Sequence, residues 1–155
     1  MTKNTPSNTR VNTLVTTDPV ENEWKSLFKS TERWQSDLGF FADELQFFRS
    51  LIDKHFMRLV REEHRDLTKE TVSRMGKVEN RRHNLEQKVH RHLFHMSNLI
   101  RDPFPHDAQT YREEHAKLEA AMADFVKDSR KLKTEIFGLA RRVMDEEKTT
   151  HLLTR

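Results

Sequence analysis

From residue 20 to residue 59 the positions Val20, Trp24, Leu27, Thr31, Trp34, Leu38, Phe41, Leu45, Phe48, Ile52, His55 and Leu59 recur at alternating spacings of four and three. Only an α-helix lines up residues spaced in this way, and the alternation is the heptad seam of helices packed side by side. A stripe of about 40 residues cannot stand alone in water, because a lone helix leaves its apolar row unburied. It therefore demands partner helices of similar length. Phe40, Phe47 and Leu51 widen the stripe, so this helix faces more than one neighbour. Its start is marked by "DPVE": Asp18 can cap, Pro19 suits the first helical position, and Glu21 can close a capping box.

Carried through "REEHRDLTKE", the seam would bury Glu62, Asp66 and Lys69, so the chain is expected to turn near residue 66 although no Gly or Pro stands there. A second seam follows: Thr71, Met75, Val78, Arg82, Leu85, Val89, His92, Met96 and Leu99. "RDPFPHD" ends it, since two prolines and two aspartates form a helix stop followed by a helix start. The third seam is Tyr111, His115, Leu118, Met122, Phe125, Ser129, Leu132, Ile136, Leu139 and Val143. The expected fold is all-α, an up-down-up bundle of three long antiparallel helices with heptad-type packing that dimerisation could complete. The helices are expected at about 19–61, 69–101 and 106–148, within a single bundle domain over 18–148. The Thr/Asn-rich residues 1–17 are expected to form a disordered tail, and 149–155 a frayed C-terminus.

Composition supports this class. Charged and hydrophobic residues are each 34%, with three glycines and four prolines, too few turn residues for a sheet protein. The 155 residues suffice for one core. Without cysteine there is neither a disulfide framework nor a thiolate metal site. No apolar run is long enough for a secretory signal or a membrane span, so no membrane insertion and a cytoplasmic location are expected.

Turns centred near residues 66 and 103 fix which residues lie level. His55 falls level with Val78 and Ser129, which predicts a buried histidine bonded to a serine hydroxyl. Arg82, on the second seam, falls level with Asp124 and within reach of Asp53, predicting a buried ion pair. His92 and His115 fall level with each other, beside Phe41 and Glu44. Two imidazoles on facing helices, with Glu44 and the same-face Glu119, could ligate zinc or iron. Against this stand the spacings: no Glu-x-x-His, no His-Glu-x-x-His, and only the single His115-x-x-x-Glu119 match to a hemerythrin-like pattern. The other reading is a polar core pair, with no cofactor. His55 lies roughly 20 Å along the bundle from that pair, too far to share an ion with it.

No phosphate loop, nucleophile elbow or cysteine nucleophile is present, and the pairs Glu62/Glu63 and Glu113/Glu114 read as solvated faces, so no enzyme is expected. Charge is uneven along the chain: residues 69–101 carry eight Lys/Arg against three Glu. Arg74, Lys77, Arg81, Lys88, Arg91 and His95 follow the helical period beside the second seam. Such a basic stripe can hold phosphates, or it can pair with acidic residues of neighbouring helices. Nucleic acid is not favoured, because Phe94 is the only aromatic on this helix. Finally, the assumed register ends the second helix level with residue 31, leaving residues 20–30 overhanging the core. That overhang would expose Trp24, Leu27 and Phe28 and predicts a homo-oligomer, most simply a dimer. The expected function is a non-catalytic helical bundle acting through self-assembly or a protein partner. The alternatives are a metal-binding bundle using His92 and His115 and an anion- or nucleic-acid-binding module using the basic stripe.

Overall fold

The computed structural model describes residues 19–104 and 106–154. The expected 1–17 tail and the Asp18 cap lie outside these residues. Three helices follow in order, α1 (Pro19–Leu59), α2 (Arg65–Arg101) and α3 (Ala108–Leu153), and each packs on the other two. Packing and ion pairs fix their directions. Trp24 of α1 packs with Met96 and Leu99 of α2 while Arg49 meets Glu79, and Arg74 and Arg81 of α2 meet Glu135 and Asp128 of α3, so both sequential pairs run antiparallel. Glu23 meets Arg112 and Arg58 meets Glu147, so α1 and α3 run parallel. This is the up-down-up three-helix bundle that the seams require.

The seams are where burial falls. Trp24, Thr31, Leu38, Leu45, Phe48, Ile52, His55 and Leu59 are the buried residues of α1, and the heptad positions of α2 and, Tyr111 aside, of α3 are buried in the same way. Thr68 and Ala140 join them although the seams omit them, while Arg82 is half-buried. Helix ends differ from expectation by a few residues. α2 begins four residues earlier than residue 69. α3 continues through the stretch expected to fray, where the hydroxyls of Thr149 and Thr150 donate to the carbonyls of Asp145 and Glu146.

The first turn accounts for most of the differences. The link between α1 and α2 is residues 60–64, centred about four residues before the expected point, and this slides α2 and α3 along α1 by about two helical turns. The link needs neither Gly nor Pro because more distant groups shape it. The Thr68 hydroxyl donates to the Leu59 carbonyl at 2.9 Å, closing the end of α1, and the buried His64 ring meets Glu146 of α3 at 2.6 Å. The second turn lies where the prolines placed it.

Three expectations fail, the first two of them through that slide. Trp24 does not overhang: it is fully buried, its indole N–H donates to the Pro103 carbonyl at 2.8 Å, and the Arg112 guanidinium lies 5.0 Å over its ring. Leu27 and Phe28 are half-buried against the cluster of Trp24, Met96 and Leu99. His55 does not bond Ser129. Its Nδ1 lies 3.7 Å from Glu147, and the Ser129 hydroxyl is buried with no partner. Arg82 pairs with Glu86 one turn along its own helix rather than with Asp124 or Asp53.

The apolar interior has two parts. A large one runs from Leu38 and Leu118 to Leu59 and Val143, and a small one surrounds Trp24, Met96 and Leu99. Between them sits a polar layer of Thr31, His92 and His115, all buried.

Candidate functional site

The polar layer is built mainly by α2 and α3. His92 occupies a seam position of α2 and is fully buried, and His115 occupies the facing seam position of α3. His92 Nε2 lies 2.9 Å from His115 Nδ1, while His92 Nδ1 lies 2.7 Å from Glu114 Oε1. One helical step along α2, His95 Nδ1 reaches the same Glu114 oxygen at 2.9 Å. Trp34 of α1 closes the layer, its ring stacked 4.6 Å from His115, and Tyr111 packs its ring 5.2 Å from His95.

The hydrogen bonds form a directed chain. An ionised carboxylate only accepts, so both Nδ1 atoms facing Glu114 carry protons in the metal-free layer. His92 Nε2 is then the acceptor of a proton on His115 Nδ1, the assignment that satisfies every bond with neutral rings. Electrostatics favour that protonation state. Burial holds His92 below the ordinary imidazole range, and the hydrogen bond and charge of Glu114 only partly oppose it. Burial also lowers His115, with the proximity of His92 adding to the effect and the charge of Glu119 opposing it. For Glu114, burial works against ionisation, but hydrogen bonds from His95 and His92 overcome it and hold the carboxyl below its usual range. The layer is therefore two buried neutral imidazoles, one half-exposed histidine and one carboxylate anion at neutral pH.

Of the residues singled out from sequence as metal ligands, the structure brings together His92 and His115. Glu44 is displaced by the slide of α1 and meets Lys133 of α3 at 3.4 Å. Glu119 is exposed and acts on His115 through its charge alone. Phe41, expected beside the pair, packs instead edge-on against Phe125 at 5.1 Å. His95 and Glu114 are the partners the sequence reading missed. A signal existed: the level that faces His92 with His115 also faces it with Glu114, and His92-x-x-His95 is a same-face pair.

The basic stripe divides. Arg74 and Arg81 are engaged by Glu135 and Asp128 of α3, whereas Lys77, Lys88 and Arg91 are exposed and form no ion pair among the described residues. Lys88 and Arg91 border, with Lys117 and Glu114, an open groove of about 420 Å³ between α2 and α3. A second cluster, Glu63, His64 and Glu146, lies at the opposite end of the bundle. No helix among the described residues is long and apolar enough to cross a membrane.

No protein-family model, curated protein or solved structure matches this chain.

Proposed function

We propose that the chain is a non-catalytic helical bundle that works by self-association, docking a second copy of itself through a face shared by α1 and α3. The observation that carries this is a row of large apolar side chains left outside the core. Phe40 is 66% exposed, Phe47 55%, Phe137 43% and Met144 56%. Phe40 and Phe47 are seven residues apart, as are Phe137 and Met144, so each helix carries a short second seam beside the one it buries. With Trp24 inside the bundle, these four side chains form an exposed apolar row shared by α1 and α3.

The face suits a second copy. Phe47, Leu51, Phe137, Ala140 and Met144 line a groove whose rim carries Arg141 and Asp145. A two-fold contact brings each residue of the patch against the same patch, so a rim holding both signs of charge is self-complementary. Two copies bury eight half-exposed side chains. At about 1 kcal/mol each the gain is about 8 kcal/mol, against an association cost of at least about 4 kcal/mol. The balance of at most about 4 kcal/mol corresponds to a weak, reversible dimer with Kd of order millimolar.

Phe47→Glu and Phe137→Glu test the assignment. Both side chains are exposed in the protomer, so the helical circular-dichroism signal is expected to persist while sedimentation velocity shows the dimer lost. Phe94→Glu, an equally exposed site on α2, is expected to leave the dimer intact. A dimer that survives both the Phe47 and Phe137 changes contradicts the proposal.

A further inference from the structure

We propose that His92 Nδ1, His95 Nδ1 and the Glu114 carboxylate form a binding site for a divalent transition cation of the zinc class. Convergence is the first ground. Two imidazole nitrogens one helical step apart on α2 aim at one carboxylate oxygen of α3, at 2.7 and 2.9 Å, and the three ligand atoms all lie within 4.8 Å of one another. Zinc bonds of ~2.0–2.2 Å set tetrahedral ligand atoms ~3.3 Å apart. Opening the two histidine–carboxylate contacts by about half an ångström therefore brings them to coordination spacing. Side-chain torsions of the half-buried His95 and Glu114 can supply that movement.

The second ground is the support behind His92. A ligating histidine holds its ring by donating its other N–H to an outer partner, and His115 Nδ1 stands 2.9 Å from His92 Nε2 for that role. On binding, the His92 proton moves from Nδ1 to Nε2 and donates to His115 Nδ1, whose own proton moves to its Nε2. His95 likewise shifts its proton to Nε2. Both Nδ1 lone pairs are then free for the ion. Trp34 stacked on His115 fixes that ring from the α1 side.

The ligand chemistry selects the ion. Two imidazoles and one carboxylate suit zinc and its neighbours, not calcium or magnesium, which need shells of oxygen. Three protein ligands leave a fourth place for water or a small anion. Lys88, Arg91 and Lys117 around the groove beside Glu114 favour the anion. The Glu63, His64 and Glu146 cluster is the weaker candidate: it has one imidazole, already bonded to Glu146, and Glu63 is exposed.

The test is calorimetric titration of the untagged full chain with zinc chloride, alongside cobalt(II) absorption as a report of coordination geometry. One equivalent is expected to bind, with cobalt bands of a four- or five-coordinate site. His95→Ala and Glu114→Gln are each expected to weaken zinc by more than about tenfold, and His64→Ala to leave it unchanged. Should Glu114→Gln fail to fold, His95→Gln at the half-exposed position carries the same comparison. Absence of zinc heat and cobalt bands overturns the site. So does binding that is unaltered by the His95 change, or lost in His64→Ala.

Discussion

Trp24 shows how one side chain can serve three contacts at once: an apolar ring between Met96 and Leu99, an indole N–H on the Pro103 carbonyl, and a π face beneath Arg112. Trp24→Phe keeps most of the volume and loses the hydrogen bond, so unfolding free energy is expected to fall by about 1–3 kcal/mol. Trp24→Ala also opens a cavity and is expected to cost about 3–5 kcal/mol in denaturant titration. Neither loss belongs to assembly. A Trp24→Ala variant of unchanged stability would return the residue to the surface. Ser129 predicts the opposite sign. Its hydroxyl is buried with no hydrogen-bond partner, so Ser129→Ala removes an unpaid desolvation and is expected to stabilise by up to about 1 kcal/mol. A loss of more than about 1 kcal/mol would mean that the hydroxyl has a partner. From sequence, Ser129 and His55 read as mates because both sit on seams; their true surroundings depend on the sliding of α1, which neither residue encodes.

The two turns differ in how openly the chain writes them. "RDPFPHD" stops one helix and starts another through its own backbone chemistry, so the α2–α3 register, and with it the meeting of His92 and His115, was legible in the sequence. The 60–64 link is shaped by Thr68 reaching back to the Leu59 carbonyl and by His64 meeting Glu146 on α3. A local reading of the chain has no access to such contacts. That is why the α1 side of the site was placed two turns away, with Glu44 and Phe41 where Trp34 stands. His95 and Glu114 were hidden for a related reason: each lies on the flank of its own helix, and only the α2–α3 groove makes one of them the partner of the other. The link yields its own prediction. Thr68→Val preserves shape but leaves the Leu59 carbonyl unpaired, so stability is expected to drop by about 1–3 kcal/mol by thermal or denaturant unfolding. No change would mean that the turn is set elsewhere.

Over the whole molecule the chain divides its apolar residues between the core and the surface. The seams give a three-helix core interrupted by the Thr31, His92 and His115 layer, and a polar layer of this kind favours one register of neighbouring helices over its slides. Phe40, Phe47, Phe137 and Met144 contribute little to that core and remain at the surface of α1 and α3. A protomer that spent these residues on solubility would carry charges there instead. Self-association through this face is the central claim, and the solution mass tests it most directly. Multi-angle light scattering of the untagged chain over a dilution series spanning about micromolar to millimolar is expected to show a mass rising from 18.6 kDa towards twice that value as concentration increases. A mass that stays at 18.6 kDa across the series would contradict it.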